Sequence, residues 1–345
     1  MISSGTVTPP TPSWGSAMLD ALLGSLGRPA GWAIALAGFL ARGGLVVLVA
    51  PIVVIPSTIG LANAVAPTVT PLLFGEASPE LLSLIGGVIL ALTAWVILGG
   101  LIGVWADLML VRAAAADDDV DIAVSLPVGR GAVWRGLAVR LMSLLPLVAA
   151  LGWGSTRIID AMYRQVILPD ELSTPIVLRV LRDVPDAIGV IVLAWLVGEA
   201  VGGIAQRRLW SSEVSIPGAL LWAVGRIVRR PFTSAATLAV TTVAVAAAVL
   251  PPALVAGIAW ERLRIGLASQ ASAPEIAVAL VVFVCLWFAA LLLAGAATSL
   301  RSFAWTAETY RPVPVPAARP VDRTIGDAGA GRPGEWPSAG ASGRL

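Results

Sequence analysis

"AVGRIVRRPFTSAATLAVTTVAVAAAVLPP", residues 223–252, opens with Arg226, Arg229, Arg230 and Pro231 and then carries no charge to its end. A helix needs ~20 apolar residues to cross a bilayer, and this run supplies them. At ~100° per residue, the three arginines share one face of the helix that precedes Pro231, and Leu221, Val224 and Val228 lie opposite. A helix with that division is expected to lie on the inner leaflet, with its arginines toward anionic lipid phosphates and its aliphatic side chains in the acyl boundary. Pro231 then falls in the first turn of the next helix, where its missing N–H is harmless. The stretch therefore reads as an interfacial helix feeding a membrane helix.

Composition extends this reading to the whole chain. Of 345 residues, 57% are hydrophobic and 13% are charged, with a mean hydropathy of +0.88. A soluble domain carries about a quarter of its residues charged. The chain is thus expected to be an all-α polytopic membrane protein. A transmembrane barrel would alternate apolar and polar residues, and residues 243–250 do not alternate.

All 23 basic residues are arginine, and the sequence contains neither lysine nor histidine. This excludes Schiff-base lysines, the P-loop lysine, Ser–His and Cys–His nucleophile pairs, and histidine metal sites. No cofactor is expected. The single cysteine, Cys285, lies in an apolar run and reads as a buried structural thiol. The pI of 9.3 suggests nucleic acid only superficially. The arginines gather beside apolar runs and form no continuous basic face, so the expected partners are membrane lipids and a possible protein partner. Residues 1–27 hold no basic residue. The positive region of a signal peptide is therefore missing, and the first membrane helix is expected to be retained.

The apolar runs fall into pairs: 43–62 with 81–110, 141–154 with 187–205, and 232–259 with 276–299. Six membrane helices in three hairpins follow. Residues 1–15 and the Pro/Gly-rich tail 311–345 are expected to be disordered, and residues 16–310 to form the membrane domain. Residues 17–26 are expected to form an amphipathic helix with Leu19, Leu22, Leu23 and Leu26 on one stripe. Arginine counts set the orientation. Residues 207–230 hold five arginines and 112–140 hold four, whereas 63–80 hold none. Both termini are thus expected in the cytoplasm, beneath the plasma membrane.

The units also resemble one another. Trp32, Trp134 and Trp222 precede Arg42, Arg140 and Arg230, and an apolar run follows each arginine. The returning helices carry Trp95, Trp195 and Trp287, followed by Arg112, Arg207 and Arg301. This is read as a repeat of about a hundred residues, spanning 30–112, 127–208 and 217–301. Each unit is an interfacial helix, a helix out, a loop and a helix back.

Two intramembrane polar candidates emerge. Glu199, in "LVGEAVGG", lies near the centre of the fourth membrane helix, where an ionisable group is a functional-site hypothesis by default. It reads either as a proton or cation site or as a carboxyl bonded to a neighbouring helix. Arg42 is its expected partner if residues 30–56 form one continuous helix; the repeat instead places Arg42 at the membrane boundary. Gly99, Gly100, Gly202 and Gly203 are expected to allow close helix approach.

"DDDVD", residues 117–121, satisfies an Asp-Asp-x-x-Asp spacing through Asp117, Asp118 and Asp121. It resembles the first aspartate-rich motif of membrane prenyltransferases, which implies Mg²⁺ and a diphosphate. The only other aspartate pair, Asp183 and Asp186, falls on the opposite expected side. A solvated acidic turn is the preferred reading.

The layout of interfacial helix and hairpin over residues 30–310 resembles a group of bacterial membrane proteins. That group includes the membrane domain attached to some glycerophosphodiester phosphodiesterases. The resemblance implies no catalytic residues here, since their soluble catalytic barrel and its histidines are missing. The expected function is non-enzymatic, through lipid or partner contacts. A transporter subunit that borrows an ATPase is the alternative, and a prenyl-type transferase the third reading.

Overall fold

The computed structural model describes residues 13–53, 78–118, 130–167, 176–212, 214–269 and 272–310. Among these residues every regular element is a helix. Helix α1 (Trp14–Leu26) is capped by the Ser13 side chain, which accepts the Ser16 N–H at 3.2 Å. Helix α2 (Pro29–Phe39) passes through a π-helical turn at Leu40–Gly44 into α3 (Leu45–Val49), and a 3₁₀ turn follows at Ala50–Ile52. Helix α4 (Pro79–Asp118) returns. Helices α5 (Arg130–Ser143) and α6 (Leu145–Ile167) are followed by the short α7 (Ile176–Asp183) and by α8 (Pro185–Ser211). Helices α9 (Ile216–Arg229), α10 (Pro231–Ala268) and α11 (Ala273–Tyr310) are the last elements of the described residues.

Six helical stretches are long and apolar enough to cross a membrane: Pro29–Ile52, Pro79–Ala115, Arg130–Gln165, Pro185–Ser211, Pro231–Ala268 and Ala273–Tyr310. They pair as three hairpins. The first span packs on α4, α6 on α8, and α10 on α11. The protein is an all-α, multi-pass membrane protein. In each hairpin a shorter helix meets the outgoing one across a break. The first break is at Gly43, whose φ of 103° suits only glycine. The second is at Leu144 and the third at Arg230, with φ −135° and ψ 56°.

Burial changes abruptly along the spans. On α11, Val278, Leu280, Val281 and Phe288 are exposed, whereas Phe303, Ala304, Trp305, Thr306 and Glu308 are buried. On α8, the exposed aliphatics Val190, Val192, Leu193 and Val197 all precede Glu199, and Ile204 to Arg207 are buried. One part of the domain is thus a belt with apolar side chains facing outward, as lipid requires. The other is a packed base, made from one end of each returning helix together with α1, α2, α5 and α9.

Glycines let the base close. A Cβ on Gly99 would stand 2.2 Å from the Ala41 carbonyl oxygen, and one on Gly198 2.8 Å from that of Ser143. At Gly295 it would stand 2.7 Å from the Trp32 carbonyl oxygen. Backbone therefore meets helix at distances that no side chain permits, as the paired glycines suggested.

Several expectations are corrected. Trp14 and Gly15 belong to α1, not to a disordered N-terminus, and Trp14 Nε1 donates to Thr237 Oγ1 at 3.0 Å. Helix α6 continues past Gly154 to Ile167, where Ile158 and Ala161 pack in a cluster with Val180, Val184, Ala187 and Ile188, and Arg157 and Arg164 reach Asp186 and Asp160 on its exposed side at 3.4 and 3.2 Å. Cys285 is exposed on the belt. The expected stripe of α1 is present: Leu19, Leu22, Leu23 and Leu26 face outward, while Ala17, Ala21 and Ser25 pack inward. The expected disordered tail, residues 311–345, and most of the expected N-terminal segment lie outside the described residues.

Helix α9 departs from expectation at one of its arginines. Leu221, Val224 and Val228 do share a face, and it is exposed. Of the three expected lipid-surface arginines, Arg226 is only 6% exposed and packs with Ala219 and Ala223. Its Nη2 donates to the Glu308 carbonyl oxygen, and its guanidinium stands 5.4 Å from the Trp222 ring centroid, with that of Arg208 at 5.0 Å. The acceptors that hold it lie on α11, out of reach of any local pattern. Arg229 is exposed, and Arg230 is half-buried at the break.

Candidate functional site

The base encloses a charged chamber. Its six ionic groups come from all three hairpins: Arg42 and Asp107 from the first, Arg140, Glu199 and Arg207 from the second, and Arg301 from the third. Arg42 stands in the π turn of the first span, where the extra residue of the wider turn and the break at Gly43 aim it at α4. Its Nη1 lies 2.6 Å from Asp107 Oδ2, and its Nε donates to the Gly38 carbonyl at 3.1 Å. Gly103 makes room for the reach, since a Cβ there would stand 2.7 Å from Arg42 Cδ.

Glu199 is bonded across helices, but not to Arg42. Arg140 of α5 donates to its Oε1 and Arg301 of α11 to its Oε2. One carboxylate thus ties three helices from two hairpins. The Arg42 partnership is corrected for a geometric reason. The break at Gly43 ends the continuous helix it required, and Asp107 takes the guanidinium first. Glu199 lies in the middle of α8 by length, yet beyond its last exposed aliphatic, Val197.

Arg207 is the most enclosed of the group at 3% exposed. Its Nη1 donates to the Gly203 carbonyl at 2.8 Å and its Nε to Thr306 Oγ1 at 3.0 Å. Its Nη2 donates to the Ser302 carbonyl at 2.8 Å and to Ser302 Oγ at 3.1 Å. All these acceptors are neutral, and among the described residues no carboxylate stands within ion-pair distance of Arg207.

These groups line a cavity of about 290 Å³. Four guanidiniums (Arg42, Arg140, Arg207, Arg301) face two carboxylates (Asp107, Glu199), so its described walls carry an excess of two positive charges. Two further polar groups of the lining are buried: Thr298, 7% exposed, and Trp305, 2% exposed. Neither Thr298 Oγ1 nor Trp305 Nε1 has a hydrogen-bond partner among the described residues. Buried charge without compensation is costly, and so is a buried donor without an acceptor. The described walls of the chamber therefore carry more positive than negative charge. Guanidiniums pair with carboxylate or phosphate oxygens two at a time, and four of them converge here.

No family model, curated protein or solved structure matches the chain. The chamber is thus read from its own chemistry, and the resemblance of layout drawn from the sequence assigns it nothing.

Of the polar candidates in the sequence, Glu199 and Arg42 both line the chamber. Asp107 was missed, as were the chamber roles of Arg140, Arg207 and Arg301. A signal was present. Gly103, Gly203 and Gly295 each lie eight positions after Trp95, Trp195 and Trp287, and Asp107 and Arg207 each lie twelve after theirs. Asp121 lies outside the described residues, as do the side chains of Asp117 and Asp118. No other cluster of three acidic or cysteine side chains capable of holding a metal occurs among the described residues.

Proposed function

We propose that this membrane protein works by binding an anion of the phosphate class in the arginine–carboxylate chamber, without covalent chemistry. The excess of two positive charges on the enclosed walls carries the reading. With lysine and histidine absent from the chain, the proton carriers at the site are Asp107 and Glu199, and both are engaged by arginines. The base then faces the cytoplasm of the plasma membrane, with both termini on that side, because arginine gathers there.

Thermal unfolding in detergent at constant ionic strength tests this. Inorganic phosphate should raise the midpoint more than chloride does. Arg301→Gln, which removes one donor at the rim, should reduce that difference. Equal midpoints in phosphate and chloride would sink the proposal.

One observation favours a second reading, passage of the anion through the membrane domain. The first span is broken at Gly43, in the chamber wall, and discontinuous helices flank the sites of many transporters. Phosphate uptake by proteoliposomes, or co-purification of an ATPase subunit, would support that reading over simple binding.

A further inference from the structure

The charged chamber has a neighbour. A second cavity, of about 240 Å³, lies between the first hairpin and the α5–α6 segment. Its walls are mostly apolar: Trp95, Val96, Leu141, Leu144 and Leu147, with Gly100 at one side. It shares Arg42, Arg140, Trp195, Glu199 and Gln206 with the chamber. The same side chains therefore form the wall of a polar compartment on one side and the end of an apolar one on the other. Trp95, Val96 and Leu141 are also exposed on the belt, so the apolar cavity borders the surface that faces lipid chains.

We propose that the two cavities form one amphiphile site, which takes an anionic lipid with its phosphate in the arginine chamber and an acyl or isoprenoid chain along Leu141, Leu144 and Leu147. This rests on the anion reading of the chamber and narrows it. A free inorganic ion would use only the charged half. An amphiphile uses both, and its entry needs no aqueous path because the apolar half borders the belt. Trp195 and Gln206 line both compartments and mark where headgroup gives way to chain. A Cβ at Gly100 would stand 2.6 Å from Leu137 Cδ1, so the Leu137 side chain would have to turn.

The test uses the full-length protein in detergent and compares three probes by thermal unfolding and native mass spectrometry. They are inorganic phosphate, a short-chain phosphatidic acid, and a phosphatidylcholine of the same chain length. Phosphatidic acid should bind at least roughly tenfold more tightly than phosphate, the factor that about two buried methylenes supply. It should also exceed phosphatidylcholine, whose headgroup has no net charge. Leu147→Trp fills the apolar cavity and should abolish the advantage of phosphatidic acid over phosphate. Leu144→Phe provides a second, milder filling should the first variant unfold. Arg301→Gln should weaken phosphate and phosphatidic acid together.

Equal affinity for phosphate and phosphatidic acid, insensitive to both fillings, would overturn the amphiphile site and leave the anion chamber standing. Failure of both anions to bind would overturn the chamber reading as well. Binding of phosphatidic acid that survives Arg301→Gln unchanged would place the lipid elsewhere on the belt and also overturn the proposal.

Discussion

Arg207 donates twice to Ser302, to the carbonyl oxygen at 2.8 Å and to the hydroxyl at 3.1 Å, and so joins α8 to α11 across 95 positions of sequence. Breaking this contact takes the guanidinium donors from the buried Ser302 and Thr306 hydroxyls, while the Ser302 carbonyl keeps the Thr306 hydroxyl as a donor. Each such group costs about 1–3 kcal/mol. Arg207→Leu is therefore expected to destabilise the domain by about 3 kcal/mol or more, measured by denaturant unfolding in detergent. Arg207→Lys keeps the charge but not the planar fork that reaches Gly203, Ser302 and Thr306 together, so it should fall between the two. A wild-type midpoint for Arg207→Leu would show that α8 and α11 are held by packing alone.

Glu199 gives a sharper test, because its charge is shared between Arg140 and Arg301. Glu199→Gln preserves size but leaves two guanidiniums facing a neutral amide in a largely enclosed place. Its cost should approach that of Glu199→Leu. Arg301→Gln should then cost less in the Glu199→Gln background than in the wild type, with a coupling of about 0.5–3 kcal/mol. Strict additivity in that cycle would remove the three-helix tie.

Glycine substitutions separate packing from propensity. Alanine at Gly99 or Gly198 places a Cβ 2.2 or 2.8 Å from a backbone carbonyl oxygen, so helices must move apart and stability must fall. Alanine at Gly86 or Gly152 meets nothing within 4 Å. There the helix gains ~0.5–1 kcal/mol from the lost flexibility of glycine. Parallel thermal unfolding of the four variants should give opposite signs for the two pairs.

Gly43 lies in open space, yet its φ is 103°. Gly43→Ala therefore adds no clash and should cost about 1–3 kcal/mol through backbone strain alone. If the variant straightens the first span instead, Arg42 leaves Asp107, and phosphate should lose its effect on the unfolding midpoint. A variant that matches the wild type in both respects would show that the break is not held by Gly43.

Orientation is checked by labelling in intact cells, with Cys285 replaced. A cysteine at Ser269 should react with an impermeant maleimide, and one at Ser212 should not. Reaction at Ser212 alone would invert the topology.

Much of this fold was legible because the bilayer is a simple selector. Runs such as residues 232–259 and 276–299 have no soluble alternative, and their pairing follows from short connections. The ends were less legible. Arg157, Asp160 and Arg164 read as loop residues, yet they lie on α6, whose other side packs Ile158 and Ala161 against α7 and α8. The aliphatic face of α9 was readable and is exposed, but the inward turn of Arg226 was not, because the carbonyl oxygen that accepts from it is on Glu308, 82 residues away. The chamber was visible in part. A lone acid such as Glu199 stands out within an apolar run, whereas Asp107 and the arginines acquire meaning only when three hairpins meet at one depth.

The pairing of Arg207 with α11 also imposes a schedule on synthesis. Arg42 and Asp107 belong to one hairpin, and each finds its partner as soon as that hairpin is made. Arg140 and Glu199 likewise meet within the second hairpin. Arg207 must wait for Ser302 and Thr306, close to a hundred codons later, and at ~5–20 residues per second that is roughly 5–20 s. During that interval one of its three acceptor residues, Gly203 on its own helix, is present and the other two are not. The nascent chain thus carries a half-satisfied cation next to the membrane until its sixth span is inserted. That makes the last hairpin the step at which a stalled or truncated product becomes recognisable to quality control.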